Sequence, residues 1–167
     1  MPTESDSRRA VYTGSFDPVT LGHVNIIERC SRLVDHLIVG IGVNVEKQSL
    51  FSVEERIELL KQTTSSLPNV EIRSFSGLAV NFVRDCQARV MIRGVRSLSD
   101  MEAEFTMSIA NRKLDDSIET VFLMADDEYS HVSSSLIKQI ASLAGDKELL
   151  RFVPEVVAEA LREKLAV

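Results

Sequence analysis

A chain of 167 residues with 44% hydrophobic and 26% charged side chains can bury a sizeable core, and it reads as an ordinary soluble globular protein of one domain, 1–167. Its net charge of −6 disfavours a general nucleic-acid binder, which needs an electropositive face to displace counterions, so any anion site must be built locally. Cys30 and Cys86 lie far apart and His23, His36 and His131 are scattered, which suggests neither a disulfide framework nor a metal centre.

No apolar run approaches a membrane span, and Met1 to Arg9 lacks the apolar core of a signal peptide. A cytoplasmic protein without a membrane or nucleic-acid partner is expected, with residues 1–8 frayed. The stretch from Arg9 then reads as a short apolar strand running into a turn with Gly14 and an Asp17-Pro18 step. Thr20-Leu21-Gly22-His23 stands at the mouth of a helix, where small residues and unpaired N–H groups make a site for an anion. Asp17-Pro18 could equally be only a turn, and His23 a surface histidine.

Val24, Ile27, Cys30 and Val34 recur at helical spacing and predict a helix from about Gly22 to Val34. Leu37 to Val43 is a continuous apolar run, as expected of a parallel strand covered on both faces; its Gly40-x-Gly42 lacks the third glycine of a dinucleotide fingerprint. Asn44 to Leu50 is a loop carrying Lys47, either a solvated lysine or a cation at the strand's carboxyl end. Ser52-Val53-Glu54-Glu55 is a capping box that opens a helix ending near Ser65. Val70 to Phe75 reads as a strand, leading through Ser76-Gly77 into a helix with Leu78, Phe82 and Val83 on one side.

Arg89 to Arg96 is a strand that delivers Arg93 and Arg96 around Gly94. These are either surface arginines or two planar forks suited to polyphosphate oxygens. Ser99-Asp100-Met101-Glu102 resembles a capping box, and Met101, Phe105 and Ile109 face one way along the helix that follows. Glu104 lies off that stripe; it is a solvated carboxylate, a balance for the arginines or a partner for a ribose hydroxyl. Glu119 to Met124 makes a fifth strand, followed by an acidic loop to His131. Val132-Ser133-Ser134-Ser135 opens a helix towards Ala144, its serines being either caps or phosphate donors, and Pro154 begins a last helix with Val157, Leu161 and Leu165 aligned.

Five strands alternating with helices predict an α/β fold: a doubly wound, Rossmann-like, five-stranded parallel sheet with a C-terminal helix. Ligands collect where the strand order reverses. An order 3-2-1-4-5 would bring Ser15, His23, Lys47, Arg93, Arg96 and Ser133 to Ser135 to one positively charged rim.

These residues carry a resemblance. Gly14 to His23 resembles the H-x-G-H-type signature of the nucleotidyltransferase superfamily, with Thr20 in the first histidine's place. Val132 to Lys138 resembles that superfamily's serine-rich motif, with Lys138 where arginine is frequent. Arg93-Gly94-Val95-Arg96 together with Lys47 resembles the bacterial phosphopantetheine adenylyltransferase family, and the likeness runs from about Arg9 to the final helix.

The resemblance implies transfer of AMP from Mg-ATP to 4′-phosphopantetheine, giving dephospho-coenzyme A and pyrophosphate. It also implies a homohexamer inhibited by coenzyme A. Catalytic roles fall on His23, Lys47 and Arg96. ATP contacts fall on Ser15, Phe16, His23, Gly94, Val95, Arg96 and Glu104, and on Tyr129, Ser130, His131, Val132, Ser133, Ser134 and Ser135. The pantetheine side falls on Ser15, Lys47, Ala79 and Arg93. No protein ligand for a metal is implied, and Mg²⁺ is expected to ride on the triphosphate. Ser15, Ala79, Ala103 and Tyr129 depart from the commoner threonine, larger apolar residue, aromatic residue and tryptophan. The alternatives are a related nucleotidyltransferase acting on nicotinamide mononucleotide or glycerol 3-phosphate, and a nucleotide-binding sensor without turnover. A sensor has no need of His23 and Lys47 as cations near the α-phosphate.

Overall fold

The computed structural model describes residues 8–165. Residues 1–7 of the segment expected to fray lie outside it, while Arg8 is tied to Asp35 by its backbone N–H at 2.8 Å and its guanidinium at 3.2 Å.

The apolar runs form five parallel strands, β1 (Arg9–Gly14), β2 (His36–Val43), β3 (Val70–Ser76), β4 (Val90–Val95) and β5 (Glu119–Met124), in the order β3-β2-β1-β4-β5. Between and after them run α1 (Leu21–Ser31), α2 (Val53–Thr63), α3 (Ala79–Asp85), α4 (Leu98–Leu114), α5 (Ser134–Ile140), α6 (Asp146–Leu149) and the C-terminal α7 (Glu155–Leu165). The doubly wound sheet is the expected one, and its order reverses between β1 and β4.

The pleat explains why the central strands read as unbroken apolar runs, because each face of the sheet has its own core. Ala10, Tyr12, Leu37, Val39 and Ile41 pack with Ile26, Ile27 and Cys30 of α1, Leu59 and Leu60 of α2, Ile137 of α5 and Val157 and Leu161 of α7. Val11, Ile38 and Met91 point the other way, against Val80, Phe82 and Val83 of α3. Each such aliphatic or aromatic side chain contributes about 1.5–3 kcal/mol by leaving water. Gly40 is the close approach in this second layer: a Cβ there would stand 2.3 Å from Cε1 of Phe82, whose ring stacks on Phe75 at 4.4 Å.

Several boundaries differ from expectation, among them α5, which stops at Ile140 with Ala141 as its C-cap and does not run on towards Ala144. Helix α1 stops at Ser31, with Arg32 as its C-cap, so Val34 packs on the core from the following turn. Leu78 is the N-cap of α3 and half exposed, which moves the buried stripe to Val80, Phe82 and Val83. Helix α4 starts at Leu98 because Ser97, rather than Ser99, caps it by accepting from the Asp100 N–H at 3.2 Å.

Helix α4 also buries no residue, and the side chains expected to form its core stripe include Phe105 and Ile109 at 56% and 50% exposure. Glu104 and Asn111 of the helix reach Arg93 and Met91 of β4, while its apolar Phe105 and Ile109 are exposed, as are Val121 and Met124 of β5.

Candidate active site

At the carboxyl ends of β1 and β4 the chain leaves the sheet in two loops, and between them lies a cavity of about 280 Å³. Thr13 and Gly14 at the end of β1 with Ser15 just after it, Thr20, Gly22 and His23 around the start of α1, Arg93 and Gly94 of β4 with Arg96 just beyond it, and Val132 to Ser135 at the start of α5 contribute to its lining. Tyr12, Ile26, Ala125, Asp100 and Glu104 complete the wall. A second cavity of about 720 Å³ adjoins it, lined by Asn44, Val45, Glu46, Ala79 and Met107 among others. Thr13, Gly14, Ser15, Arg93 and Glu104 line both cavities.

His23 enters the site as part of a helix cap. Thr20 is the N-cap of α1 and His23 its third residue; the Thr20 hydroxyl accepts from the His23 N–H at 3.3 Å, and Nδ1 of His23 accepts from the Thr20 N–H at 3.0 Å. A ring nitrogen that accepts from a backbone N–H carries no proton, so the neutral imidazole is protonated at Nε2 and presents a donor. Phe16 braces the ring edge-on at 4.9 Å. Burial, then Arg96 and Arg93, pushes the His23 pKa down to about 4.

A measurable consequence follows from that depression. The unfolded chain, with a histidine near 6.5, binds the His23 proton between about pH 6.5 and pH 4 while the free folded protein does not. His23 thus contributes stability that is present above about 6.5 and lost as pH falls through about 4. Ring resonances of His23 in the ligand-free protein should stay in the neutral form at pH 5.5, and titration near 6.5 would show the ring to be solvated.

The arginines are held by carboxylates of α4. Arg93 donates from Nε to Oε2 of Glu104 at 2.6 Å and from Nη2 to Oε1 at 2.7 Å, while Nη1 donates to the carbonyl and hydroxyl oxygens of Thr13, each at 2.7 Å. Arg96 donates from Nε to Asp100 at 2.9 Å and from Nη1 to the Val132 carbonyl at 2.7 Å. Of the three roles open to Glu104, balancing an arginine is the one its geometry displays. The rim expected to be a surplus of positive charge is instead a set of charge-balanced, preoriented N–H donors.

The remaining sequence candidates fall in different places. Ser15, His23, Gly94, Arg96, Glu104 and Val132 to Ser135 are brought together in the first cavity, and Ala79 lines the second. Phe16 and Val95 are buried at 1% exposure beneath the loops, so their side chains do not line the cavity. Tyr129, Ser130 and His131 are in the turn above α1, outside the lining, with His131 edge-on to Phe152 at 5.8 Å. Lys47 is exposed, in the loop next to the second cavity's Asn44, Val45 and Glu46.

Two supporting side chains were not singled out from the sequence. Asp17, 3% exposed, accepts from the Phe51 and Leu50 N–H groups at 2.8 and 2.9 Å and pairs with Lys138 Nζ at 2.6 Å. Arg56, 4% exposed, donates to the Ser15 carbonyl at 2.9 Å. Asp17-Pro18 signals only a turn in sequence, and Arg56 falls within an ordinary amphipathic helix; their roles arise from contacts more than 30 residues away along the chain.

The chain is similar to known proteins over most of its length. Residues 11–140 match the family model described as cytidylyltransferase-like. A phosphopantetheine adenylyltransferase of Rhodopirellula baltica is 61% identical over 158 residues, covering 94% of this chain and 88% of the relative. One from Caldanaerobacter subterraneus subsp. tengcongensis is 50% identical over 157 residues, covering 94% and 97%. Among solved structures, a Vibrio parahaemolyticus protein assigned as a nicotinate-nucleotide adenylyltransferase superposes with a TM-score of 0.65 at 13% identity, covering 94% of this chain and 92% of that one. That last likeness concerns the fold.

Proposed function

The chain belongs to the phosphopantetheine adenylyltransferase family within the cytidylyltransferase-like proteins, and on that premise we propose that its two adjoining cavities hold ATP and 4′-phosphopantetheine. The reaction is transfer of AMP from ATP to 4′-phosphopantetheine, giving dephospho-coenzyme A and pyrophosphate. The observation that carries the two-cavity reading is the wall that both share, formed by Thr13, Gly14, Ser15, Arg93 and Glu104, since an acceptor and a donor must meet at one phosphorus.

The acceptor phosphate oxygen attacks the α-phosphorus of ATP, a new oxygen–phosphorus bond forms, and the bond to the bridging oxygen breaks as pyrophosphate leaves. The nucleophile comes with the substrate, so the protein supplies position and charge stabilisation. His23 Nε2–H donates to an α-phosphoryl oxygen. Arg96 and Ser133 to Ser135 take the remaining phosphates, while Gly94, Val95 and Phe16 contribute through the backbone. Tyr129, Ser130 and His131 close over the nucleoside. Ser15 and Arg93 sit between the substrates, Ala79 lines the pantetheine arm, and Lys47 reaches the acceptor phosphate from its loop.

Among the described residues no group of three or more His, Cys, Asp or Glu could hold a metal ion, and Asp100 and Glu104 are engaged with arginines. In this reading Mg²⁺ enters with the triphosphate, as substrate. Coenzyme A shares the pantetheine moiety and competes for the second cavity as an inhibitor. The chain acts as a single nucleotidyltransferase domain. Among the described residues no helix is long and apolar enough to cross a membrane, which suits a cytoplasmic enzyme.

The exposed apolar side chains of Phe105 and Ile109 on α4 and Met124 on β5 support self-association into the homohexamer, and a sedimentation mass of one chain would refute it. The activity itself is tested by mixing protein, Mg-ATP and 4′-phosphopantetheine, with nicotinamide mononucleotide and glycerol 3-phosphate in parallel, and following pyrophosphate. Release with phosphopantetheine alone is expected. Release with either rival acceptor in its place would refute the assignment.

A further inference from the structure

Tyr12 is 5% exposed, at the floor of the first cavity, with its ring edge-on to Phe16 at 5.4 Å. Among the described residues its phenolic oxygen has no hydrogen-bond partner. Nor is that oxygen sealed in, since among the described residues every fully enclosed side-chain nitrogen or oxygen has a partner. It opens on the cavity. Gly94 helps to keep it open: a Cβ there would stand 3.4 Å from the phenolic oxygen and 3.2 Å from Cγ1 of Ile26.

A hydroxyl that opens on a cavity loses its water when a ligand fills that cavity, which is unfavourable unless the ligand accepts from it, and phenylalanine would fill the same space between Phe16 and Ile26 without that cost. The hydroxyl therefore has its use when the cavity is filled. Burial, only partly offset by Arg93, pushes the phenol well above the usual tyrosine range, so it remains a protonated donor at any working pH.

We propose that Tyr12 is a nucleotide-binding residue whose phenolic O–H donates a hydrogen bond to an acceptor atom of the ATP in the first cavity. This rests on the reading of that cavity as the ATP site. Tyr12→Phe removes the donor and leaves the packing. Titration calorimetry with Mg-ATP should show binding weakened about tenfold, the scale for losing a hydrogen bond to a charged acceptor. In steady state the KM for ATP should rise while the KM for 4′-phosphopantetheine holds, and the melting temperature of the free protein should not fall.

Equal affinity of Tyr12→Phe and wild type for Mg-ATP overturns the proposal, as water would then be the hydroxyl's partner. If the wild type binds Mg-ATP but releases no pyrophosphate with phosphopantetheine, the acceptor assignment fails while the calorimetry still decides Tyr12. If the wild type does not bind Mg-ATP, both fall.

Discussion

Replacing His23 with alanine should lower kcat by about 10²-fold or more, roughly 3 kcal/mol of transition-state stabilisation, the scale for one preorganised donor. The expectation rests on how the ring is held. Nδ1 is occupied by the Thr20 N–H at 3.0 Å and Phe16 packs edge-on with the ring, so Nε2–H has one orientation before substrate arrives. A neutral donor fixed in this way need not reorganise as charge builds on the α-phosphoryl oxygens. The substitution also removes one half of the α1 capping box, which costs about 1 kcal/mol of stability and shows in the melting temperature. Single-turnover rates at saturating Mg-ATP separate the two effects, and turnover within a few-fold of wild type would remove His23 from the chemistry.

The second large effect is expected at Asp17. Burial alone would raise its pKa, but hydrogen bonds from Lys138, Phe51 and Leu50 outweigh it and hold the carboxyl below its ordinary value. The carboxylate joins three segments: the turn after β1, the end of the Lys47 loop at Leu50 and Phe51, and helix α5 through Lys138. Asp17→Ala leaves two backbone donors and an ammonium without their acceptor and should cost about 3 kcal/mol or more in urea unfolding. Adding Lys138→Met should cost less than its effect in the wild type, since the cation has already lost its partner.

The depressed carboxyl also fixes a pH dependence. The pair's stability is present above the carboxylate's unfolded value, near 3.9, and lost as pH falls through its lower folded value. A loss under 1 kcal/mol for Asp17→Ala would show the pair to be solvated.

Sequence patterning by itself determined the sheet, the sequence of strands and helices, and most of the side chains around the site. Unbroken apolar runs such as Leu37 to Val43 require cover on both faces, and Thr20 with His23 marks a helix start whichever way the rest of the chain folds. Pattern did not specify the α4 stripe, because periodicity records that one face is apolar and says nothing of what covers it; in the single chain Phe105 and Ile109 are uncovered. Nor did it specify charge balance. Arg93 and Glu104 are 11 residues apart, and Arg93 meets Thr13 across 80.

The tertiary structure alone decided which donors are already engaged, that His23 is neutral, that Phe16 and Val95 lie beneath the cavity and Lys47 outside its lining, and that Asp17 and Arg56 hold the loops. Each of those outcomes depends on distances between segments remote in sequence. Local spacing encodes which face of an element is buried, while a hydrogen bond or a shifted pKa depends on what the rest of the chain brings to within about 3 Å.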